Sequence, residues 1–325
     1  MNWMKKTIII SLAIILASGA KPQESRDIFT IPVKNWNMKF VGFDNFYPTY
    51  LADPLGVRFE VSSQAFKYSD YEYEDKINQG EGYLGRLTIC TGARFSLFKF
   101  SPKSNPILGI EVDLGVATPL VMRNGNHDLI GTDGIYYFAI AGRPTEWMAL
   151  RFSKHHICTH LGDEFYSGHV NSPTDYDPMV TQLPVRDDFI TSVAVKPLYF
   201  LGRPELDILQ VYGEIGFFMP GGDFLGSRQN KPNRTAWMNY QGGLELEYYL
   251  PKRYLGGVYS AFNISAYQLN AFSPNISFGA GYIFPQELMA SKLRIGFQYY
   301  NGRSLINQFY NRKERFVALN VTADF

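Results

Sequence analysis

Several things are scarce in this 325-residue chain, and each absence narrows its class. Charge of one sign is missing: 31 basic residues face 30 acidic ones, for a net charge of +1 at pH 7. A nucleic-acid binder carries a basic patch or a strongly basic domain, so no nucleic acid is expected as a partner. Cysteine is rare, with only Cys90 and Cys158. They fall in predicted strands far apart in sequence and are expected as separate thiols, since a disulfide needs Cα atoms within ~7 Å. Beyond the first twenty residues no apolar run approaches the ~20 residues of a membrane-spanning helix. The glycine pairs Gly221-Gly222 and Gly242-Gly243 open no helix, which excludes a phosphate-cradling loop there.

What is present begins with a leader. Lys5 and Lys6 precede an apolar stretch, residues 7–16, and the small residues Ala17, Ser18, Gly19 and Ala20 follow. This three-part order predicts a secretory signal over residues 1–20, cut after Ala20. The chain is also rich in rings, 22 Tyr and 25 Phe, which suits strands meeting a lipid interface.

The dominant pattern has period two. Leu293, Ile295, Phe297 and Tyr299 alternate with Lys292, Arg294, Gly296 and Gln298; Leu108, Ile110, Val112 and Leu114 alternate with Gly109, Glu111, Asp113 and Gly115. The same rhythm recurs through residues 86–95, 238–247, 275–282 and 316–325. A soluble sandwich also alternates. Here, however, the polar face carries charges of both signs, as a hydrated or salt-bridged lumen does. The segments also run to about 10–14 residues, the length of a tilted membrane-crossing strand. Short connections (101–105, 143–146, 201–205, 251–256, 285–290) alternate with mostly longer ones (69–80, 118–130, 161–187, 220–234, 302–312), the link near Asn270 being short. The expected fold is therefore all-β, an antiparallel transmembrane β-barrel of about twelve strands over residues 57–325. The expected location is a bacterial outer membrane, with short periplasmic turns and long outer loops. Residues 21–56 are expected to cross the periplasmic mouth or to plug the barrel, since Pro48 and Pro54 argue against a central strand. Phe325, on the lipid-facing parity, matches the terminal aromatic signal read by barrel-assembly machinery. Outer-membrane lipid and lipopolysaccharide are the other expected partners, the latter through the acidic stretch 69–75.

Leu51-Ala52-Asp53-Pro54, His160-Leu161-Gly162-Asp163-Glu164-Phe165, and Tyr299-Tyr300-Asn301-Gly302 with Gln308-Phe309-Tyr310 occur in that order along the chain. They resemble an uncharacterised family of exported Gram-negative proteins known only as a domain of unknown function. The resemblance implies an outer-membrane barrel and no established activity. The family's central motif reads His-Gln-Ser-Ser-His-Leu-Gly-Asp-Glu; here His156-Ile157-Cys158-Thr159-His160 stands in its first half, so the Gln and both Ser are replaced.

Chemistry concentrates in that stretch. His155, His156, His160 and His169 fall within residues 155–169, beside Cys158, Asp163, Glu164, Asp175 and Asp177. One reading is structural: Gly162 turns the chain, and the acids satisfy loop N–H groups or lumen arginines. A second is a lipid acyl-ester hydrolase. The family's His-x-Ser resembles the His-Gln-Ser-Asn-Gly motif of the outer-membrane phospholipases, themselves twelve-stranded barrels with the His activating a Ser at the lipid boundary. On the parity of Met148, Leu150 and Phe152, His156 and Cys158 share the lipid face. A Cys–His pair can act as a nucleophile, although the following Asn-Gly is absent, no orienting third residue is evident, and Lys154 on the same parity raises a bulge that flips the register. A third reading is metal binding. His156 and His160 stand ~13 Å apart on a straight strand, while Glu164, Asp175 and Asp177 suit a loop Ca²⁺. The leading expectation is a non-enzymatic conduit or surface scaffold without a cofactor, and the alternative is the His156–Cys158 hydrolase.

Overall fold

The computed structural model describes residues 29–69, 84–123, 129–163, 185–202, 207–218, 238–285, 291–310 and 312–324. Among them the strands are β1 (Phe29–Val33), β2 (Trp36–Gly42), β3 (Phe59–Ser69), β4 (Leu84–Pro102), β5 (Gly109–Arg123), β6 (Leu129–Thr145) and β7 (Met148–Leu161). There follow β8 (Val185–Val195), β9 (Leu209–Phe218), β10 (Met238–Tyr249), β11 (Gly257–Tyr267), β12 (Asn275–Ile283), β13 (Lys292–Arg303) and β14 (Lys313–Asp324). Each strand from β3 to β14 pairs antiparallel with its sequence neighbour, and β14 returns to β3, so the sheet closes as a twelve-stranded barrel. Closure leaves these strands no free edge, the condition for backbone to lie in lipid.

The alternation predicts which way each side chain points. Ile110, Val116, Phe138, Ile140, Leu150, Phe152, Val193, Leu244, Phe278, Phe297 and Val317 are exposed on the outer surface, forming an apolar belt. The opposite parity fills the lumen with buried ions in pairs: Arg86–Glu314, Arg94–Asp113, Arg151–Glu214 and Arg294–Asp324, each at 2.9 Å. Charges removed from water persist only when paired and hydrogen-bonded, and the inner face supplies that pairing. Glycine lets inward tyrosines lie flat on the wall. A Cβ at Gly115 would meet the Tyr137 ring at 2.1 Å, and one at Gly296 would meet the Tyr259 hydroxyl at 2.3 Å.

Three features differ from the sequence expectation or add to it. The 118–130 loop is shorter than expected, because β5 runs on to Arg123 and β6 begins at Leu129; cross-strand pairing carries Pro119 within the ladder opposite Cys90. A bulge between Ser96 and Phe98 shifts the inward parity of β4, so Arg94 and Ser96 are followed by Lys99 and Ser101. The segment before the barrel is not wholly irregular. β1 and β2 form a hairpin whose second strand pairs with residues 96–102 of β4.

β2 ends with Val41 in the left-handed region (φ 48°), and beyond Gly42 the chain enters the lumen. Phe46, Tyr47, Tyr50, Leu51 and Ala52 are buried there. Lumen carboxylates hold this plug by its backbone: Glu111 accepts from Phe46 N at 2.6 Å and Glu245 from Leu51 N at 2.5 Å. Arg58 and Arg143 donate to the Tyr50 and Phe46 carbonyls at 3.0 and 2.8 Å. Tyr50 stacks on Tyr212, ring centroids 3.6 Å apart, and donates to Glu214. Burial raises the Asp53 carboxyl above the usual carboxylate range, against the N–H of Leu55 and the charge of Arg58.

Candidate functional site

β7 rises from a tight turn after Thr145 to the end of the barrel that carries the longer connections. From Leu150 onward its register with both neighbours is continuous, so the inner and outer rows stay distinct through the stretch that carries the histidines. Arg151, Ser153, Ile157 and Thr159 are buried on the lumen side, with His155 stacked on Tyr137 at 4.8 Å. Leu150, Phe152, Lys154, His156, Cys158 and His160 form the outer row. The bulge that Lys154 raised is absent: Lys154 stands in register between Phe138 and Phe189, and His156 and Cys158 remain on the lipid-facing side.

The residue that sequence reasoning missed stands opposite His156. β8 begins at Val185, which puts Asp187 directly across from His156. Their side chains meet, Nδ1 to Oδ1, at 2.9 Å, and the Tyr136 ring stacks on the imidazole with centroids 4.5 Å apart. With Nδ1–H donated to Asp187, the tautomer is fixed and Nε2 is the basic nitrogen. Cys158 lies two residues further along the row, its Sγ 3.7 Å from the Gly134 carbonyl oxygen. Gly134 keeps this spot open, because a Cβ there would come within 3.0 Å of the sulfur. The site therefore has a base and a thiol on the outer face of β7, with the carboxylate that orients the base on the adjacent strand β8.

The remaining motif residues behave differently. His160 is exposed on the outer row beside Thr132. Leu161 turns inward onto Val121, Ile130, Ile306 and Phe309. Gly162 donates to the Ile130 carbonyl at 3.1 Å, and a Cβ there would collide with Leu129 O at 1.9 Å, so this glycine serves close chain approach. Asp163 is exposed. Glu164, Phe165, Asp175, Asp177 and Phe325 lie outside the described residues, as does most of the acidic stretch 69–75. Among the described residues, no three His, Cys, Asp or Glu side chains gather as a metal would require. Cys90 faces the lumen near Ala117, Ile135 and Ile157, with β5 and β6 between it and the strand of Cys158; both thiols are free.

Inside the barrel a cavity of about 140 Å³ lies between the plug and the inturned β13–β14 connection. Arg94, Asp133, Arg151, His155, Arg186 and Glu214 are among its walls. Asp133 accepts from Thr159 and from Asn307 N, tying β6, β7 and that connection together.

No family model matches the chain, and no curated protein does, so the resemblance to the uncharacterised family gains no support there. Solved structures do match. An active-site mutant of outer membrane phospholipase A from Escherichia coli aligns with a TM-score of 0.51 at 12% identity, covering 86% of this chain and 93% of that one. A Salmonella typhi outer membrane phospholipase, solved as a dimer with bound calcium, aligns with a TM-score of 0.50 at 10% identity, covering 82% and 90%. At such identities the likeness is one of fold: this chain is built as an outer-membrane-type β-barrel.

Proposed function

We propose that this protein is an outer-membrane acyl-ester hydrolase that works on lipid at the outer end of the barrel, with Cys158 as nucleophile, His156 as base and Asp187 as the orienting acid. The observation that carries the reading is the 2.9 Å His156–Asp187 pair on the lipid-facing surface, beside a thiol on the same row. A carboxylate on the far nitrogen of an imidazole holds its tautomer and stabilises the imidazolium formed during reaction. Nε2 takes the Cys158 proton, and the thiolate adds to the ester carbonyl. The alcohol leaves with the proton from the imidazolium, giving a thioester. Water, deprotonated by Nε2, then cleaves the thioester and releases the acid and the free thiol. The plugged lumen favours this reading over a passive conduit, because it puts the chemistry outside the barrel, where acyl chains are.

The test is release of fatty acid from phospholipid in mixed micelles by refolded protein. Cys158→Ala removes turnover and His156→Ala lowers it ~10²–10⁴-fold. A correctly inserted wild-type barrel that releases no fatty acid ends the proposal.

A further inference from the structure

The β1–β2 hairpin lies outside the closed ring, and its two faces differ. Phe29, Ile31 and Val33 pair with Phe40, Met38 and Trp36, and these pair in turn with Phe98, Phe100 and Pro102 of β4. Direct partners in a sheet share a face, so these nine residues form one apolar surface. Phe98 belongs to the barrel's outer belt, and the surface is therefore a lateral extension of it. Phe29, Ile31, Val33, Trp36 and Phe98 are 50%, 45%, 43%, 38% and 41% exposed, a density of open apolar area that water does not favour. The other face carries Thr30, Asn37, Lys39, Lys99 and Ser101, with Lys99 bound to Asp44.

The hairpin is also graded along its length. Phe29, stacked on Phe40, lies at the end nearer the barrel's middle. Trp36, stacked on Phe100, lies at the tip, next to the exposed Lys34. Lys103 joins them there, its backbone N–H donating to the Asn35 carbonyl at 2.8 Å. Phe in the hydrocarbon, Trp at the boundary and Lys at the phosphates is the order in which a bilayer sorts these side chains.

We propose that this hairpin is a membrane anchor. Its apolar face lies in the leaflet at the turn end of the barrel, with acyl chains against Phe29, Ile31 and Phe98, and Lys34 and Lys103 at the lipid phosphates. A second copy of the chain is a poorer occupant. The free edge, β1, spans five of the described residues and carries Pro32 beside its last residue, a weak template for strand addition. The anchor rests on the barrel lying in a bilayer and is independent of the hydrolase chemistry.

The full chain with Trp3→Phe, Trp147→Phe and Trp237→Phe keeps Trp36 as its single tryptophan. It is refolded into phosphatidylethanolamine–phosphatidylglycerol vesicles with iodide on both sides or with brominated acyl chains. Bromine near the headgroup end of the chain is expected to quench Trp36 strongly, and iodide weakly. Phe29→Asp with Ile31→Asp reverses that preference. A matched chain with Trp36→Phe and Phe297→Trp, a belt position, reports insertion of the barrel by quenching from mid-chain bromine. Iodide quenching of Trp36 while that control is quenched by bromine overturns the anchor alone. Protection of Trp36 from both quenchers that grows with protein-to-lipid ratio also overturns it and points to self-association. A control that bromine does not reach overturns the membrane placement and the anchor together.

Discussion

The two faces of β7 were made by one alternating run of residues, yet they do different work. On the lumen side Arg151 is locked at 2.9 Å to Glu214, lies over the Tyr47 ring, and shares Glu214 with Tyr50 and Ser192. On the outer side Lys154, three residues along, is exposed and makes no ion pair among the described residues. Among the described residues, Asp187 is the hydrogen-bond partner of His156 and the Gly134 carbonyl that of Cys158. The inner row is determined by many mutual contacts, as a buried network must be. The outer row is held only by the sheet behind it, which leaves its side chains accessible to a substrate. A closed barrel thus separates the residues that stabilise it from those that can react, by one peptide unit.

Arg151→Met against Lys154→Met gives the comparison its largest test. The first leaves Glu214 buried without its counter-ion, and breaking such a pair costs about 3–5 kcal/mol. The second removes an outward charge beside Phe138 and Phe189 and is expected to stabilise the inserted barrel by up to ~1 kcal/mol. Urea midpoints of the refolded proteins measure both. Equal shifts for the two variants would mean that the faces are not energetically distinct.

A smaller effect per contact is expected at the plug. Glu111 and Glu245 each accept a backbone N–H from a residue of the plug, and an unmade hydrogen bond to a buried donor costs about 1–3 kcal/mol. Glu111→Ala with Glu245→Ala should therefore loosen residues 46–51 without opening the ring. In planar bilayers the wild type is expected to be silent and the double variant to flicker open. Steady conductance through the wild type would revive the conduit reading and count against a filled lumen.

Much of this was legible from local pattern. The lumen and lipid parities follow from alternation, because a strand has only two faces and lipid accepts one kind of residue. The same rule puts His156 and Cys158 outside and His155 inside. Asp187 was not legible as a partner, since its pairing with His156 is set by register across the 162–184 connection. Local periodicity says that Asp187 faces out, but not what it faces. The plug was readable only as an interruption, because residues 43–57 have no period and are fixed by distant carboxylates. The hairpin was missed for a similar reason: β1 is short and contains Pro32, and the β4 segment that pairs with β2 is some sixty residues away.

The smallest expected effect on stability separates the faces most finely. Gly134→Ala puts a methyl group 3.0 Å from the Cys158 sulfur on the open outer surface, whereas Gly115→Ala drives one into the Tyr137 ring on the closed inner one. Overpacking the inner site should cost about 1–3 kcal/mol, while the outer change should stay within about 0.5 kcal/mol. Function should respond in the opposite order. A nucleophile displaced by a fraction of an ångström can lose up to ~10²-fold in rate, so Gly134→Ala should depress both fatty-acid release and alkylation of Cys158 by a thiol reagent. Gly115→Ala, once folded, should leave the alkylation rate at its wild-type value. If Gly134→Ala leaves both rates unchanged, the opening beside the thiol has no part in its reactivity, and the space at Gly134 is simply a gap in the barrel wall.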